Sequence, residues 1–281
     1  MKTARSSRKS GNLTTALLVL VLVAGLALLL YPTVSDYWNG YHSSRAIASY
    51  SEAVAGLSPE DYGRWLQAAR DYNAAIPLRE TPCSLNENDK LIYKSNLDIE
   101  GNGVMGYIEI PCIDVFLPIY HGTDEGVLQV AAGHLDWTYL PVGGEGTHCV
   151  LSGHRGLPSA KLFTNLDKLK EGDLFMLHVL NEELTYRVEQ ILVVEPKDLN
   201  TLQPVTGRDL CTLVTCTPYG INTHRLLVTG SRVDNIVRED EDISLPAEAV
   251  PVNAAALAAG LTLVLFLLGL GLAALLRRRR S

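Results

Sequence analysis

The stretch Leu210-Cys211-Thr212-Leu213-Val214-Thr215-Cys216-Thr217-Pro218-Tyr219-Gly220, followed by Arg225 in His224-Arg225-Leu226-Leu227-Val228, decides the reading of this chain. It runs as a strand, breaks in a turn rich in Pro and Gly, and resumes as a second strand. The first strand delivers a thiol to its end, and the second opens on a guanidinium. Upstream, Cys149-Val150-Leu151-Ser152-Gly153-His154-Arg155-Gly156 delivers an imidazole in the same way. Strand side chains alternate faces, so Thr212, Val214 and Cys216 share one face, and His148, Val150, Ser152 and His154 share one face of the other segment. If the two segments are neighbours, Cys216 and His154 emerge together. Arg225 sits beside Cys216 if its strand is antiparallel. A thiol nucleophile, a proton carrier and a fixed cation are the parts that acyl transfer through a thioester requires.

Outward from this motif the chain keeps a β character. Residues 107–111, 113–117, 147–152, 174–179, 184–194, 210–216 and 225–233 form short runs separated by turn residues, with a helical turn or two expected in 159–169. This pattern predicts a mostly β domain closed into a barrel. Before it, Val34 to Gly56 reads as helix. Ser58-Pro59-Glu60-Asp61 is a helix start, with Ser at the cap, Pro at the first position and acids in the first turn. Tyr62, Trp65, Leu66, Ala69, Tyr72 and Asn73 follow at helical spacing and predict a stripe packed on the main domain. Residues 76–103 lose this periodicity and read as a long loop, a candidate lid.

Leu13 to Tyr31 is an uncharged run of 19 residues and Ala254 to Leu276 one of 23. Each is long enough to cross a bilayer as a helix. Lys2, Arg5, Arg8 and Lys9 precede the first, and Arg277 to Arg280 follow the second. The positive-inside rule then places both termini in the cytoplasm and residues 32–252 outside. All 31 acidic residues lie between the runs, against 16 of the 24 Lys and Arg, for a net charge of −15 there. Such a surface argues against nucleic-acid partners.

The five cysteines are an odd number, so an exported chain keeps at least one free thiol. Cys149 and Cys211 each lie five residues before His154 and Cys216. By parity both face away from the candidate site, side by side if their strands are parallel and in register. They read as buried free thiols. No His or Cys pair has zinc-ligand spacing, and neither a P-loop nor an EF-hand pattern is present, so neither metal nor cofactor is expected. Gly101-x-Gly103-x-x-Gly106 has dinucleotide-loop spelling but no strand before it and no helix after it. Composition alone leaves His134, His148 and His224 in competition with His154.

Leu140-Pro141-Val142-Gly143-Gly144, Leu151 to Pro158, Lys161 to Asp167, and above all Thr212-Leu213-Val214-Thr215-Cys216 with the later Arg225 resemble the sortases, in particular their class C, pilus-assembling branch. The similarity spans about Val104 to Val233. It implies an eight-stranded β-barrel with His154, Cys216 and Arg225 at the catalytic positions. The implied reaction is transpeptidation: Cys216 attacks a Leu-Pro-x-Thr-Gly-like sorting signal, giving a thioacyl enzyme that an amine acceptor resolves. The implied partners are pilin or surface proteins bearing a C-terminal sorting signal, and a pilin Lys or peptidoglycan as acceptor. A non-enzymatic membrane-tethered assembly module is the alternative outside this class. Where class C sortases resemble one another in an Asp-Pro-aromatic lid, this chain has Thr81-Pro82-Cys83, matching only in the Pro.

The resulting layout is a cytoplasmic basic segment (1–12), a transmembrane helix (13–31), an extracytoplasmic helical region (32–75), the candidate lid loop (76–103) and the barrel (104–236). A linker (237–253), a second transmembrane helix (254–276) and a basic tail (277–281) complete it.

Overall fold

The computed structural model describes residues 7–76, 85–235 and 260. Three segments expected from sequence lie outside the described residues: Thr81, Pro82 and Cys83, the linker 237–253, and the basic tail. So does the second membrane run, of which Gly260 alone is described.

Helix α1 (Ser7–Ala55) is a single element of 49 residues. It joins the first apolar run to the segment read separately as helix from Val34, with Pro32 inside it. Leu17 to Leu29 are largely exposed, and α1 is the described helix long and apolar enough to cross a membrane. Further along, Ile47 and Tyr50 are fully buried against the start of the barrel.

Helix α2 (Pro59–Ala75) begins as its sequence dictates: Ser58 Oγ accepts the Asp61 N–H at 3.1 Å, and Pro59 gives up a donor that has no helical partner anyway. Its buried side is Leu66, Ala69, Tyr72 and Asn73. Asn73 is a clamp. Its Nδ2 donates to the Leu140 carbonyl at 3.1 Å, while its Oδ1 accepts the Leu140 N–H at 2.7 Å.

The expected loop over 76–103 needs correction, because helix α3 (Glu87–Ser95) lies within it. Asn86 caps α3 through the Asp89 N–H, and Tyr93 plugs the core with 1% exposure. The Tyr93 hydroxyl accepts the Gly122 N–H at 3.0 Å and meets His134 Nδ1 at 2.9 Å. A nine-residue helix with a single fully buried side chain carries too short a stripe to register as periodic.

Eight strands follow: β1 (Val104–Ile110), β2 (Val115–His121), β3 (Ala132–His134), β4 (Thr147–Ser152), β5 (Leu174–Val179), β6 (Glu182–Val194), β7 (Asp209–Thr217) and β8 (His224–Arg232). They close into a barrel in the order β1-β2-β3-β4-β7-β8-β6-β5. The expected mostly β barrel is present, with one strand that the sequence pattern missed. β3 has three residues, too few to show alternation, and exists because β2 pairs with it in parallel and β4 antiparallel. The helical turn expected in 159–169 is present as one 3-10 turn, Leu166–Lys168.

The parallel β4–β7 pair matters most. Cys149 stands opposite Cys211 in the ladder, and both are free and buried in the barrel interior with Leu151, Leu213, Phe175 and Tyr186. Residues of opposite parity form a separate cluster. Val150, Val214 and Leu227 pack with Leu202, and Leu135, Trp137, Leu192, Val194 and Leu199 close around them. That second cluster marks the outer face of the wall.

Candidate functional site

The β4–β7 ladder runs from Thr147 opposite Asp209 to Ser152 opposite Val214. Beyond it the two chains stay joined: the Gly153 N–H donates to the Val214 carbonyl at 3.0 Å, and Thr215 Oγ1 donates to the Gly153 carbonyl at 2.7 Å. The next residues in step are His154 and Cys216. On the other side, β7 and β8 are antiparallel, and Cys216 is the direct cross-strand partner of Arg225. His154, Cys216 and Arg225 therefore stand on three adjacent strands at one rim of the barrel. They continue the outer face marked by Val150, Val214 and Leu227. All three are half-buried, so each is held by the wall and open to a ligand.

The Arg225 guanidinium donates through Nη1 to the carbonyls of His224 (3.1 Å) and Asn222 (3.4 Å). Among the described residues it has no carboxylate partner, which leaves its charge available.

Gly153 is required where it stands. A Cβ there would lie 2.6 Å from Cδ2 of Phe163, a fully buried ring. Phe163 in turn donates its N–H to the His154 carbonyl at 3.1 Å. The loop that carries the imidazole is thus packed on one side and hydrogen-bonded on the other.

The structure also places the competing histidines. His134 is fully buried, with Nε2 donating to the Tyr139 carbonyl at 2.7 Å and Nδ1 facing Tyr93. His148 donates from Nδ1 to the Gln203 carbonyl at 3.0 Å and accepts at Nε2 from Thr212, 2.7 Å away. Burial pushes its imidazole below the ordinary histidine value, so the neutral ring is the favoured form. His148 pins the 199–203 segment over the outer face. His224 is exposed and contacts Thr223 through Nδ1 at 2.9 Å. Both ring nitrogens of His134 and His148 are already used inside the fold.

Sequence reading missed the part of Arg155. Its side chain is 9% exposed, and Nη2 donates to Asp167 Oδ2 at 2.5 Å while Nη1 donates to Thr217 Oγ1 at 3.1 Å. It lies 5.9 Å from the Tyr219 ring centre. The residue after His154 is thereby bonded to the residue after Cys216, and Asp167 holds the Arg155 guanidinium that joins them. An Arg beside the imidazole and an acid twelve positions later were the signals present in the sequence.

Known proteins resemble this chain across the barrel. The family model for the sortase domain matches residues 108–233. Sortase D of Bacillus subtilis is 30% identical over 163 residues, covering 57% of this chain and 79% of that protein. The chain belongs to the sortase family and is a sortase-type cysteine transpeptidase. Its solved neighbours place it with class C. The crystal structure of sortase C1 from Streptococcus agalactiae is 50% identical with a TM-score of 0.67, covering 68% of this chain and all of that one. Clostridium perfringens sortase C, solved with the C-terminal cell wall sorting motif, is 43% identical with a TM-score of 0.60, covering 68% and 99%.

Proposed function

We propose that Cys216 is the nucleophile, His154 the proton carrier and Arg225 the oxyanion or signal-binding cation of a membrane-anchored sortase that polymerises pilin subunits. The observation that carries this reading is the shared outer face: Cys216 opposite Arg225 in one ladder, and in step with His154 beyond the other. The Cys216 sulfur attacks the Thr carbonyl carbon of a Leu-Pro-x-Thr-Gly-like signal. The C–N bond to Gly breaks as His154 protonates the leaving amine, and a thioacyl enzyme remains. The acceptor amine, a pilin lysine in this reading, is deprotonated by His154 and displaces the thiol. A thioester keeps the acyl group activated until the acceptor arrives. Arg225 stabilises charge that develops on the carbonyl oxygen. The partly exposed apolar side chains beside the rim, Val194 opposite Arg225 and Leu192 two residues before Val194, are a floor for the apolar part of the signal. The class C neighbours favour pilin lysine over peptidoglycan as acceptor.

The test is single-turnover cleavage of a signal peptide, with the thioacyl enzyme followed by intact-mass spectrometry. Cys216→Ala abolishes both readouts, His154→Ala nearly so, and Arg225→Ala costs about 10²-fold, the usual loss for one oxyanion donor. Wild-type turnover by Cys216→Ala removes the assignment. A pilin carrying the signal, mixed with a Lys-bearing pilin, yields an isopeptide-linked dimer; transfer to a peptidoglycan amine instead would favour wall anchoring.

A further inference from the structure

We propose that α1 is a rigid strut that sets the height of the Cys216–His154 rim above the bilayer, so that the enzyme selects scissile bonds held at a fixed distance from the membrane surface. This rests on the proposed cleavage of sorting signals and on α1 crossing the membrane through its apolar run.

The helix does not end where the apolar run does. It continues through Pro32 and on to Ala55 without an intervening linker. It exposes Tyr31 at the end of the apolar run and Tyr37, Trp38 and Tyr41 just past it, amphipathic rings of the type that settles at headgroup level. From there its contacts with the barrel begin at once, on the loop that runs from His154 to Phe163. Asp36 Oδ1 accepts the Lys161 N–H at 2.8 Å, and its Oδ2 lies 3.6 Å from Lys161 Nζ. One turn later Asn39 Nδ2 donates to the Ser159 carbonyl at 2.9 Å. Ser43 Oγ donates to the Val130 carbonyl at 3.3 Å. The docking is completed by Tyr50, whose hydroxyl donates to the Met105 carbonyl at 3.0 Å and accepts the Leu180 N–H at 2.7 Å.

These contacts bound the geometry. Asp36 lies five residues past Tyr31, about 7.5 Å along the helix axis. From Lys161 the chain reaches Phe163 in two residues, a span of at most about 7 Å. The Phe163 N–H then holds the His154 carbonyl at 3.1 Å. Adding the reach of the Asp36 side chain, the imidazole-bearing loop lies within roughly 25 Å of the end of the apolar run. A barrel on a flexible tether would sample many heights. One held at residues 36, 39, 43 and 50 of a continuous helix keeps a single height.

The test uses the full chain in lipid vesicles. Seven helix-forming residues inserted between Thr33 and Val34 raise the barrel by about 10 Å and turn it by only about 20°. Substrates are Leu-Pro-Glu-Thr-Gly peptides joined to a transmembrane anchor in the same vesicles through spacers of graded length. A soluble form of the peptide serves as control. The inserted enzyme should need a spacer longer by about three extended residues, and should cleave the wild-type optimum at least about tenfold more slowly, because that spacer no longer spans the gap. Both enzymes should cleave the soluble peptide at equal rates. A flexible Gly-Ser insertion of the same length should broaden the optimum instead of moving it. An unchanged optimum in the helical insertion overturns the strut while leaving the chemistry intact. Failure of the wild type on the soluble peptide instead removes the proposed reaction, and the strut's role in selection with it.

Discussion

Gly153→Ala tests how tightly the fold holds the imidazole. The new methyl carbon would sit 2.6 Å from Cδ2 and 2.8 Å from Cγ of Phe163. Ordinary contact begins near 3.4 Å, so one partner must give by at least about 0.8 Å. The ring cannot swing into solvent, since Phe163 has no exposed surface. The Gly153 backbone is tied on both sides, its N–H to Val214 and its carbonyl to Thr215. The strain passes to the next residue, His154. Overpacking of this kind costs about 1–3 kcal/mol, which for a domain this size lowers the thermal midpoint by roughly 3–10 °C. With His154 as the proposed proton carrier, a displacement of about 1 Å costs about 10²-fold in rate. The assay is kcat/KM on a signal peptide together with the melting midpoint. In the double variant Gly153→Ala/Phe163→Leu the smaller side chain makes room, and activity should recover at least about tenfold. A single variant with wild-type kcat/KM would refute the reasoning. So would a double variant that regains stability but not rate, because the rate loss would then have another origin than the clash.

Two further outcomes follow from the scaffold. Asn73→Ala leaves the N–H of Leu140, itself 1% exposed, without a partner, while the Leu140 carbonyl keeps the Val142 N–H at 2.8 Å; it should cost about 1–3 kcal/mol in urea unfolding at unchanged kcat per folded molecule. For His148, the folded imidazole is held below its ordinary value of 6.5 by burial. As pH falls through 6.5 the unfolded chain takes up the proton first, so this residue's contribution to stability is full above that pH and declines below it. His148→Gln should therefore flatten the slope of unfolding free energy against pH below about 6.5, by at most about 1.4 kcal/mol per pH unit. Equal slopes for the two proteins would show that His148 titrates alike in both states.

Much of the barrel and the candidate site was legible in the sequence because strand parity is a local rule. Once Cys216, His154 and Arg225 are placed at strand ends, their faces follow from period two alone, and so does the inward pairing of Cys149 with Cys211. The start of α2 was equally legible, since Ser58 and Pro59 act within one turn of chain. Other features needed the tertiary structure. β3 is three residues long and is a strand only because β2 and β4 flank it. Tyr93 turns part of an apparent loop into core by reaching Gly122 and His134, partners 29 and 41 positions away. The choice among histidines was likewise non-local: His134 and His148 resemble His154 in sequence, but their ring nitrogens are already used inside the fold, by Tyr139 and Tyr93 and by Gln203 and Thr212. The bracing of His154 through Arg155, Asp167 and Thr217, and the hold of α1 on residues 159–161, join segments up to 125 positions apart. Local periodicity fixes which way a side chain points; what it meets there depends on closure of the barrel, which brings distant segments together.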